Sequence, residues 1–257
     1  MKIHPTAIVD PSATVPDSCS IGPYCVIGAE VELGENCEVA SHVVLGGPSK
    51  FGRDNKIYSF AVVGGDPQDV TYNGERTFLE VGDRNQIREY VTINRGTRKG
   101  GGTTRIGSDV LIMAYAHIGH DCEVGDHVML VNGATLAGHV TVEEWAVLGA
   151  LSPVHQFVRI GAHSYVGGGT IITQDVLPYS MTSAGRDPHA YMLNKVGLQR
   201  RGFSRERIAR LHHAFKVLLA SKLNTTQALE KLRGEGEDED VATLVRFIEA
   251  SQRGIIK

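Results

Sequence analysis

Histidines in the middle of the chain are the residues best suited to chemistry. The sequence contains 11 histidines, and four of them occur near an aspartate and a glutamine in the middle of the chain: His117, His120, Asp121, His139, His155 and Gln156. Imidazole titrates near neutral pH, so it can act as a general base, and its neutral form can bind zinc. The residue types alone leave both proton transfer and metal binding open.

A six-residue repeat predicts the scaffold that carries these side chains. Every sixth residue from Ile3 to Val63 is large and apolar, and the pattern resumes at Val81 and, after a shift of one residue, runs from Ile106 to Ile172. A short strand followed by a turn produces this period, whereas a helix or a simple alternating strand does not. Each strand would bury its apolar side chains against neighbouring coils, which predicts a β-solenoid.

The repeat resembles that of the hexapeptide-repeat acyltransferases. This resemblance implies an all-β left-handed parallel β-helix with three hexads, or eighteen residues, in each coil. Residues eighteen apart would then stack in adjacent coils. His120, Gly138 and Gln156 fall in one column, and Asp121 and His139 fall in the next. The histidines are therefore predicted to form one patch on an edge of the solenoid. Titratable side chains that converge in this way are typical of functional sites.

Interruptions and a change of composition divide the chain. We predict a solenoid over residues 1–178, with loop insertions at 64–80 and 98–105, and a linker with a small all-α C-terminal domain over 179–257. The apolar positions before and after the first interruption, Val63 and Val81, are eighteen residues apart. We therefore expect this interruption to replace one whole coil. Loops that leave a rigid solenoid often carry function.

The C-terminal part has helical patterns and a local excess of positive charge. Capping residues and apolar spacing predict helices over 205–221, 226–233 and 240–252. Residues 199–216 contain six Arg or Lys and one Glu. Such a basic face could bind an acidic partner or could simply be solvated.

Overall composition excludes some classes of function. The chain has 257 residues, with 26 Lys and Arg against 29 Asp and Glu, a net charge of −3. No general positive field would attract a polyanion, so we expect no nucleic acid partner. The start lacks the apolar run of a signal peptide, and no stretch of about 18 apolar residues occurs. We therefore expect a cytoplasmic protein with no membrane span.

Longer motifs narrow the resemblance to one family. The motifs are MAYAHIGHDC at 113–122, LAGHV at 136–140, VHQF at 154–157 and GLQRRGF at 197–203. They resemble those of the UDP-N-acetylglucosamine O-acyltransferases of lipid A biosynthesis, and the likeness extends over essentially the whole chain.

The resemblance implies a reaction and its catalytic residues. The family transfers an (R)-3-hydroxyacyl group from acyl carrier protein to the glucosamine 3-hydroxyl of UDP-N-acetylglucosamine, the first step of lipid A biosynthesis. It implies that His120 is the general base, that Asp121 orients it, and that the Gly138 N–H stabilises the oxyanion. No cofactor and no metal are implied. The sequence does not distinguish a glucosamine acceptor from its 3-amino analogue.

The resemblance also implies binding residues and an assembly. The substrate-binding positions are Gln68, Asp69, His117, His139, His155, Gln156, Asn194, Arg200 and Arg201. Gly168 corresponds to the residue that limits acyl length, and glycine there predicts a long acyl chain of about C14, although a turn glycine of the repeat would look the same. The family implies a homotrimer with sites between subunits, and the basic face would then meet the acidic acyl carrier protein.

Three positions depart from the family pattern. A lysine commonly stands two residues after the loop aspartate Asp69, where this chain has Thr71. A histidine often precedes the Arg-Gly-Thr sequence, where this chain has Asn94. A glutamate can precede Gly197, where this chain has Val196. These departures concern loop and nucleotide contacts and leave His120 unaffected.

Three other interpretations remain. A γ-class carbonic anhydrase-like enzyme would share the solenoid and bind zinc through interface histidines. The related N-acyltransferase of the same pathway carries an extra N-terminal domain, whereas here the hexads begin at Ile3. A non-catalytic scaffold would be insensitive to loss of His120.

Overall fold

Three sheets, parallel except for the last strand pair of one of them, wind around one core in the computed structural model, which describes residues 2–185, 187–236 and 238–257. The chain visits the sheets in turn, and we name them faces A, B and C. The architecture is the expected left-handed parallel β-helix followed by a small helical domain.

The strands are short and belong to the faces as follows. Face A contains Lys2–Ile3, Ser20–Ile21, Glu38–Val39, Lys56–Ile57, Gln86–Ile87, Leu111–Ile112, Met129–Leu130, Val147–Leu148, Tyr165–Val166, Ser180–Thr182 and Ala190–Leu193. Face B contains Ile8–Val9, Val26–Ile27, Val44–Leu45, Val62–Gly65, Thr92–Asn94, His117–Ile118, Thr135–Leu136 and Pro153–Val154. Face C contains Val31–Glu32, Ser49–Phe51, Phe78–Val81, Thr103–Ile106, Glu123–Val124, Thr141–Val142 and Arg159–Ile160.

The core is built from the repeated apolar positions. Ile118 pairs with Leu136, which pairs with Val154, so the coils without insertions stack in an eighteen-residue register. All three side chains are buried. Each coil covers the apolar residues of its neighbours, as solenoid stability requires.

The chain turns at three corners, named AB, BC and CA after the faces they join. Many of the turns place one residue in the left-handed region, and at corner BC Asp121, His139 and Phe157 do so with φ of 59°, 62° and 64°. Asp and His tolerate this conformation better than most residues. The repeated turn therefore carries polar side chains to the outside of one corner.

Both insertions leave the solenoid at corner BC. Val63 pairs with Ile93, thirty residues along the chain, and Ile93 pairs with Ile118, twenty-five residues along. The insertions thus add twelve and seven residues to coils that remain complete, so the expectation that the first one replaces a coil is wrong. The connecting segments are 66–77, the first loop, and 95–102, the second loop; the second contains a 3₁₀ turn at Arg98–Gly100.

Four helices form the C-terminal domain. They are α1 (Lys195–Arg200), α2 (Arg205–Phe215), which continues as a π-helical turn over Lys216–Ala220, α3 (Thr225–Gly234) and α4 (Glu239–Glu249). The sequence predicted the last three within a few residues and missed α1. Their apolar faces form a second core, which packs on Leu177 and Tyr179 at the end of the solenoid.

The solenoid extends beyond residue 178, where we predicted its end. Ser180–Thr182 still pairs in parallel with Tyr165–Val166, two residues beyond the predicted end of the solenoid. The C-terminal segment then returns to the solenoid, where Asp175 pairs with Ile255. No helix among the described residues has the length and apolar character needed to span a membrane.

Candidate active site

His120 and Asp121 form a hydrogen-bonded pair at corner BC. His120 Nδ1 lies 2.8 Å from Asp121 Oδ2. The His120 side chain is 16% exposed and that of Asp121 only 1%. The imidazole therefore reaches solvent while its carboxylate partner is held beneath the surface.

Asp121 has further donors, and these determine how His120 is protonated. Thr97 N donates to Oδ1 at 2.8 Å and Thr97 Oγ1 bonds Oδ2 at 2.7 Å. A carboxylate that receives these donors only accepts hydrogen bonds, so His120 Nδ1 must carry the proton. His120 Nε2 is then unprotonated in the neutral ring, which is the state that a general base requires.

Gly138 lies against the ring of His120, as the eighteen-residue column predicted. A Cβ atom at position 138 would come within 2.5 Å of His120 Cε1 and 2.7 Å of Nε2. No carbonyl or side chain in the described part of the chain accepts a hydrogen bond from the Gly138 N–H. Position 138 therefore offers a free donor beside the base, and only glycine fits there.

Two more histidines surround this pair. His139 Nε2 is 3.8 Å from Asp121 Oδ2, and its ring stacks on Phe157 at 4.4 Å between centroids. His117 Nδ1 lies 2.7 Å from the Thr92 hydroxyl. Burial lowers the pKa of both His117 and His139, and in each case the nearby His120 lowers it further. Both are neutral at pH 7 and can act as hydrogen-bonding partners.

The two loops meet at the same corner. Asp69 in the first loop accepts from Thr71 N at 2.7 Å and Thr71 Oγ1 at 2.8 Å, and these bonds lower the pKa of its carboxyl, with a smaller contribution from His120. Lys99 in the second loop places Nζ 3.0 Å from Thr71 Oγ1. Thr71 stands where the family resemblance led us to expect lysine, and here the second loop brings an ammonium group to that position.

Arg95 ties the base of the second loop to the first. Its guanidinium donates to the Gly64 carbonyl at 2.5 Å and contacts the Asp66 carboxylate and the Tyr72 hydroxyl. Asn94 Nδ2 also donates to the Asp66 carbonyl, at 2.7 Å. Asn94, which replaces the family's histidine, is buried and anchors the loop. Gln68 lies exposed in the same loop.

The C-terminal segment reaches the top of the patch. His155 and Gln156 are exposed at corner BC, one coil beyond Gly138. The guanidinium of Arg253 contacts His155 Nδ1, which also lies 3.1 Å from the Gln156 carbonyl. The column predicted for His120, Gly138 and Gln156 is thus present, with an arginine added from the end of the chain.

Four predicted site residues lie elsewhere in the chain. Arg201 is at corner CA, 5.3 Å from the Trp145 ring centre, and Arg200 is exposed nearby at the end of α1. Gly168 lies at corner AB, stacked on Ala150. Asn194 is a buried helix cap: its Oδ1 accepts from Gly197 N and its Nδ2 donates to the His163 carbonyl. One chain therefore does not bring these residues to His120.

Three side chains at this corner belong to types that can bind a metal ion. Ligand atoms of His120, Asp121 and His139 lie within 4.8 Å of one another. Zinc would need a carboxylate oxygen and a ring nitrogen that face the ion. Here both Asp121 oxygens accept hydrogen bonds from Thr97, and His120 Nδ1 faces Asp121. This set of contacts suits a base and its orienting carboxylate better than a ligand set.

Family models of known proteins match both the solenoid and the helical part of the chain. Residues 12–47 and 103–138 match the family model of bacterial transferase hexapeptide repeats, and residues 175–256 match that of UDP-N-acetylglucosamine O-acyltransferase domain 2. An acyl-[acyl-carrier-protein]–UDP-N-acetylglucosamine O-acyltransferase of Alkalilimnicola ehrlichii is 50% identical over 257 residues, which cover 100% of this chain and 99% of that protein. The chain belongs to the UDP-N-acetylglucosamine O-acyltransferase family.

Other members of the UDP-N-acetylglucosamine O-acyltransferase family match as completely. A protein of the same name from Herminiimonas arsenicoxydans is 48% identical, with 99% of each chain covered. The solved UDP-N-acetylglucosamine O-acyltransferase from Moraxella catarrhalis is 43% identical with a TM-score of 0.95 over 100% of both chains. The Francisella novicida enzyme is 40% identical with a TM-score of 0.96, covering 99% of this chain and 93% of that one. The family resemblance and the fold expected from the sequence are both confirmed.

The sequence did not point to three residues at the site. Thr97 is twenty-four residues from Asp121, Lys99 is twenty-eight from Thr71, and Arg253 is ninety-eight from His155. The glycine-rich second loop was the one available signal for Thr97 and Lys99. Nothing in the sequence pattern relates Arg253 to His155.

Proposed function

We propose that the protein transfers an (R)-3-hydroxyacyl group from acyl carrier protein to the glucosamine 3-hydroxyl of UDP-N-acetylglucosamine, in the cytoplasm. The observation that carries this proposal is the arrangement at corner BC. A partly exposed imidazole has one nitrogen fixed by a buried carboxylate and the other beside the free N–H of Gly138. Acyl transfer to a hydroxyl needs these two functions, a base and an oxyanion donor, side by side.

The chemical steps follow from that pairing. His120 Nε2 removes the proton of the sugar hydroxyl as its oxygen attacks the thioester carbonyl carbon. The Gly138 N–H donates to the oxyanion of the tetrahedral intermediate. When the intermediate collapses, the carbon–sulfur bond breaks, and the imidazolium of His120 returns the proton to the leaving thiolate. Asp121 stabilises the imidazolium between these steps, so no covalent acyl-enzyme is needed.

Polar groups around the base supply the substrate contacts. His117 and His139, both neutral, can donate to or accept from the sugar and acyl groups, as can His155 and Gln156 one coil above. Asp69 in the first loop carries a negative charge close to His120 and suits a sugar hydroxyl or amide. Lys99 supplies the cation that Thr71 does not, and a diphosphate is the anion that it would meet.

The placement of the remaining residues supports a homotrimer with sites between subunits. Arg201 lies at corner CA and Gly168 at corner AB, away from His120, so a neighbouring copy is needed to bring them to one site. Face B offers a surface for that contact, since it exposes an apolar row: Ile8, Val26, Val44 and Val62. An apolar patch of this kind usually marks a protein interface.

A groove in the helical domain suits the acidic acyl carrier protein. It has a volume of about 730 Å³ and an apolar floor that includes Ile208, with Lys195, Arg205 and His212 along its sides. The basic face is weaker than the sequence suggested, because Arg207 and Arg210 of α2 pair with acidic residues at the start of α4: Asp240 and Asp238. Among the described residues no acidic group forms an ion pair with Lys195 or Arg205, and these two cations would steer an acidic partner.

A direct assay tests the proposed function against its rivals. The purified protein is incubated with UDP-N-acetylglucosamine and a series of 3-hydroxyacyl carrier proteins, and the product is identified by mass spectrometry and by the position of the ester. We expect a 3-O-acyl product from long donors. Stoichiometric zinc that is lost in His120→Ala, without acyl transfer by the wild type, would instead support the carbonic anhydrase-like alternative.

A further inference from the structure

The second loop closes over Asp121 from the side opposite His120. Thr97, its anchor, is buried and donates both its N–H and its hydroxyl to the Asp121 carboxylate, at 2.8 and 2.7 Å. The same hydroxyl accepts from Gly100 N at 3.2 Å, across the 3₁₀ turn that it caps. Because that oxygen already accepts from Gly100, its hydrogen is directed to Asp121.

Gly100 completes this enclosure. A Cβ atom at position 100 would lie 2.1 Å from the carboxyl carbon of Asp121 and within 2.4 Å of both its oxygens. The backbone of the turn thus lies directly on the carboxylate, and no other residue fits at position 100 unless Asp121 moves. This close approach explains why the loop has a glycine here, where backbone φ alone does not require one.

A third contact holds the backbone of Asp121. The Asp121 N–H donates to Thr104 Oγ1 at 2.8 Å, from the strand into which the second loop leads. The seven-residue insertion therefore contacts Asp121 through Thr97 at its start, Gly100 in its middle and Thr104 just beyond its end. The contacts of Thr97 and Gly100 are with Asp121 and with each other, and Thr104 Oγ1 accepts from the backbone of Asp121.

We infer that the second loop is a clamp on Asp121, and that Thr97 is a positioning residue which fixes the protonation of His120. The inference rests on the proposed function for its consequences in catalysis. With two donors from Thr97, the carboxylate is held in one rotamer, and it accepts a hydrogen bond from His120 Nδ1. Without the hydroxyl, Asp121 Oδ2 loses one of its two hydrogen-bond donors, and His120 is held less firmly in the state that leaves Nε2 free.

Substitutions at Thr97 test the clamp. We expect Thr97→Val to lower kcat about 10- to 100-fold with little change in KM, since a hydrogen bond to a charged group is lost and no substrate contact changes. Thr97→Ser retains the hydroxyl and should restore most of kcat. Thr103→Val is the matched control, because it is the same change at a buried threonine of the same segment whose side chain does not bond Asp121.

A spectroscopic measurement separates the clamp from the proposed function. The ¹⁵N shifts of the His120 ring, assigned by their loss in His120→Gln, should show a protonated Nδ1 in the wild type and a mixture of tautomers in Thr97→Val. Equal kcat and equal ring shifts in the wild type and Thr97→Val would overturn the clamp. A wild type that transfers no acyl group would overturn the proposed function, and the ring shifts would still test the clamp.

A second variant, Gly100→Ala, tests the enclosure of Asp121 without removing the Thr97 hydroxyl. Gly100→Ala pushes directly on the carboxylate while the Thr97 hydroxyl stays in place. We expect it to lower kcat at least as much as Thr97→Val, with a circular dichroism spectrum like that of the wild type. Full activity of Gly100→Ala would contradict the inference, since the methyl group would then fit without displacing Asp121.

Discussion

The proposed catalytic pair, His120 and Asp121, owes its properties to unequal burial of two adjacent residues. Asp121 is enclosed and receives donors from Thr97, whereas the His120 ring reaches the surface with one nitrogen free. A buried carboxylate must be fully hydrogen-bonded to remain ionised. The corner turn makes this division possible, because it directs consecutive side chains to different sides of the backbone.

Gly138 provides the most local prediction. We expect Gly138→Ala to lower kcat by about 100-fold or more, because a methyl group would overlap the His120 ring and disturb both the base and the oxyanion donor beside it. Steady-state kinetics with the acyl carrier protein donor measures the effect. Gly65→Ala is the control, since a Cβ atom there would meet only ordinary contacts, the nearest at 3.6 Å. An unchanged kcat in Gly138→Ala would show that the ring does not lie where we describe it.

The sequence predicted that Gly138 lies over His120, but it did not predict the residues that surround the His120–Asp121 pair. The eighteen-residue column placed Gly138 over His120 because the coils between residues 106 and 172 contain no insertion. Thr97, Lys99 and Arg253 could not be found in this way, since each reaches the site across an insertion or from outside the repeat. The eighteen-residue period predicts which residues stack on one another only where the coils contain no insertion.

Among the secondary-structure elements, the strands could be located from the apolar period. Which strands pair across the two insertions could not be predicted, because the pairing depends on the length of each inserted loop. The first loop adds twelve residues and the second adds seven, and both leave from corner BC. The solenoid itself is undisturbed, because its core positions resume in the same faces. Helix α1 was missed because its six residues are too few to show a helical period.

The junction of the solenoid with the helical domain should respond to pH. His163 lies between the rings of Trp145 and Tyr179, and burial, assisted by Arg201, lowers its pKa to about 4. Asp240 opposes this shift and Arg207 adds to it. The folded state then binds fewer protons than the unfolded state between about pH 6.5 and pH 4. The stability contributed by the neutral ring is present above pH 6.5 and is lost as the pH falls towards 4.

Replacement by an aromatic ring that does not titrate tests this account. We expect His163→Phe to keep the stacking and to show a shallower fall in the free energy of unfolding between pH 6.5 and pH 4 than the wild type. Urea unfolding at a series of pH values, followed by circular dichroism, measures both slopes. Equal slopes in the two proteins would mean that His163 does not contribute to the pH dependence.

At the scale of the whole molecule, residues of one proposed site are distributed over different corners of the prism. His120 is at corner BC and Gly168 is at corner AB, where an added Cβ atom would lie 3.3 Å from the Ala150 carbonyl oxygen. We expect Gly168→Met to shift donor preference from about C14 towards shorter chains, as measured with a series of donor lengths. Unchanged preference would contradict the role of Gly168 in limiting acyl length.

Mixed assemblies test whether two subunits share a site. Trimers of His120→Ala alone, or of Gly168→Met alone, should transfer little acyl group from a C14 donor. When the two variants are coexpressed, about a quarter of the interfaces in random trimers should pair an intact His120 with an intact Gly168. Activity near a quarter of the wild-type value is the expected result. If both residues of a site came from one chain, mixing would restore nothing.

The value of kcat/KM for His120→Ala tests the central claim most directly, when it is measured beside the wild type with UDP-N-acetylglucosamine and a long-chain 3-hydroxyacyl carrier protein. His213→Ala, a change at an exposed histidine of α2, serves as the control. We predict a loss of at least about 10²- to 10⁴-fold in His120→Ala, with an unchanged melting temperature and full activity in the control. Acyl transfer by His120→Ala at the wild-type rate would contradict the account.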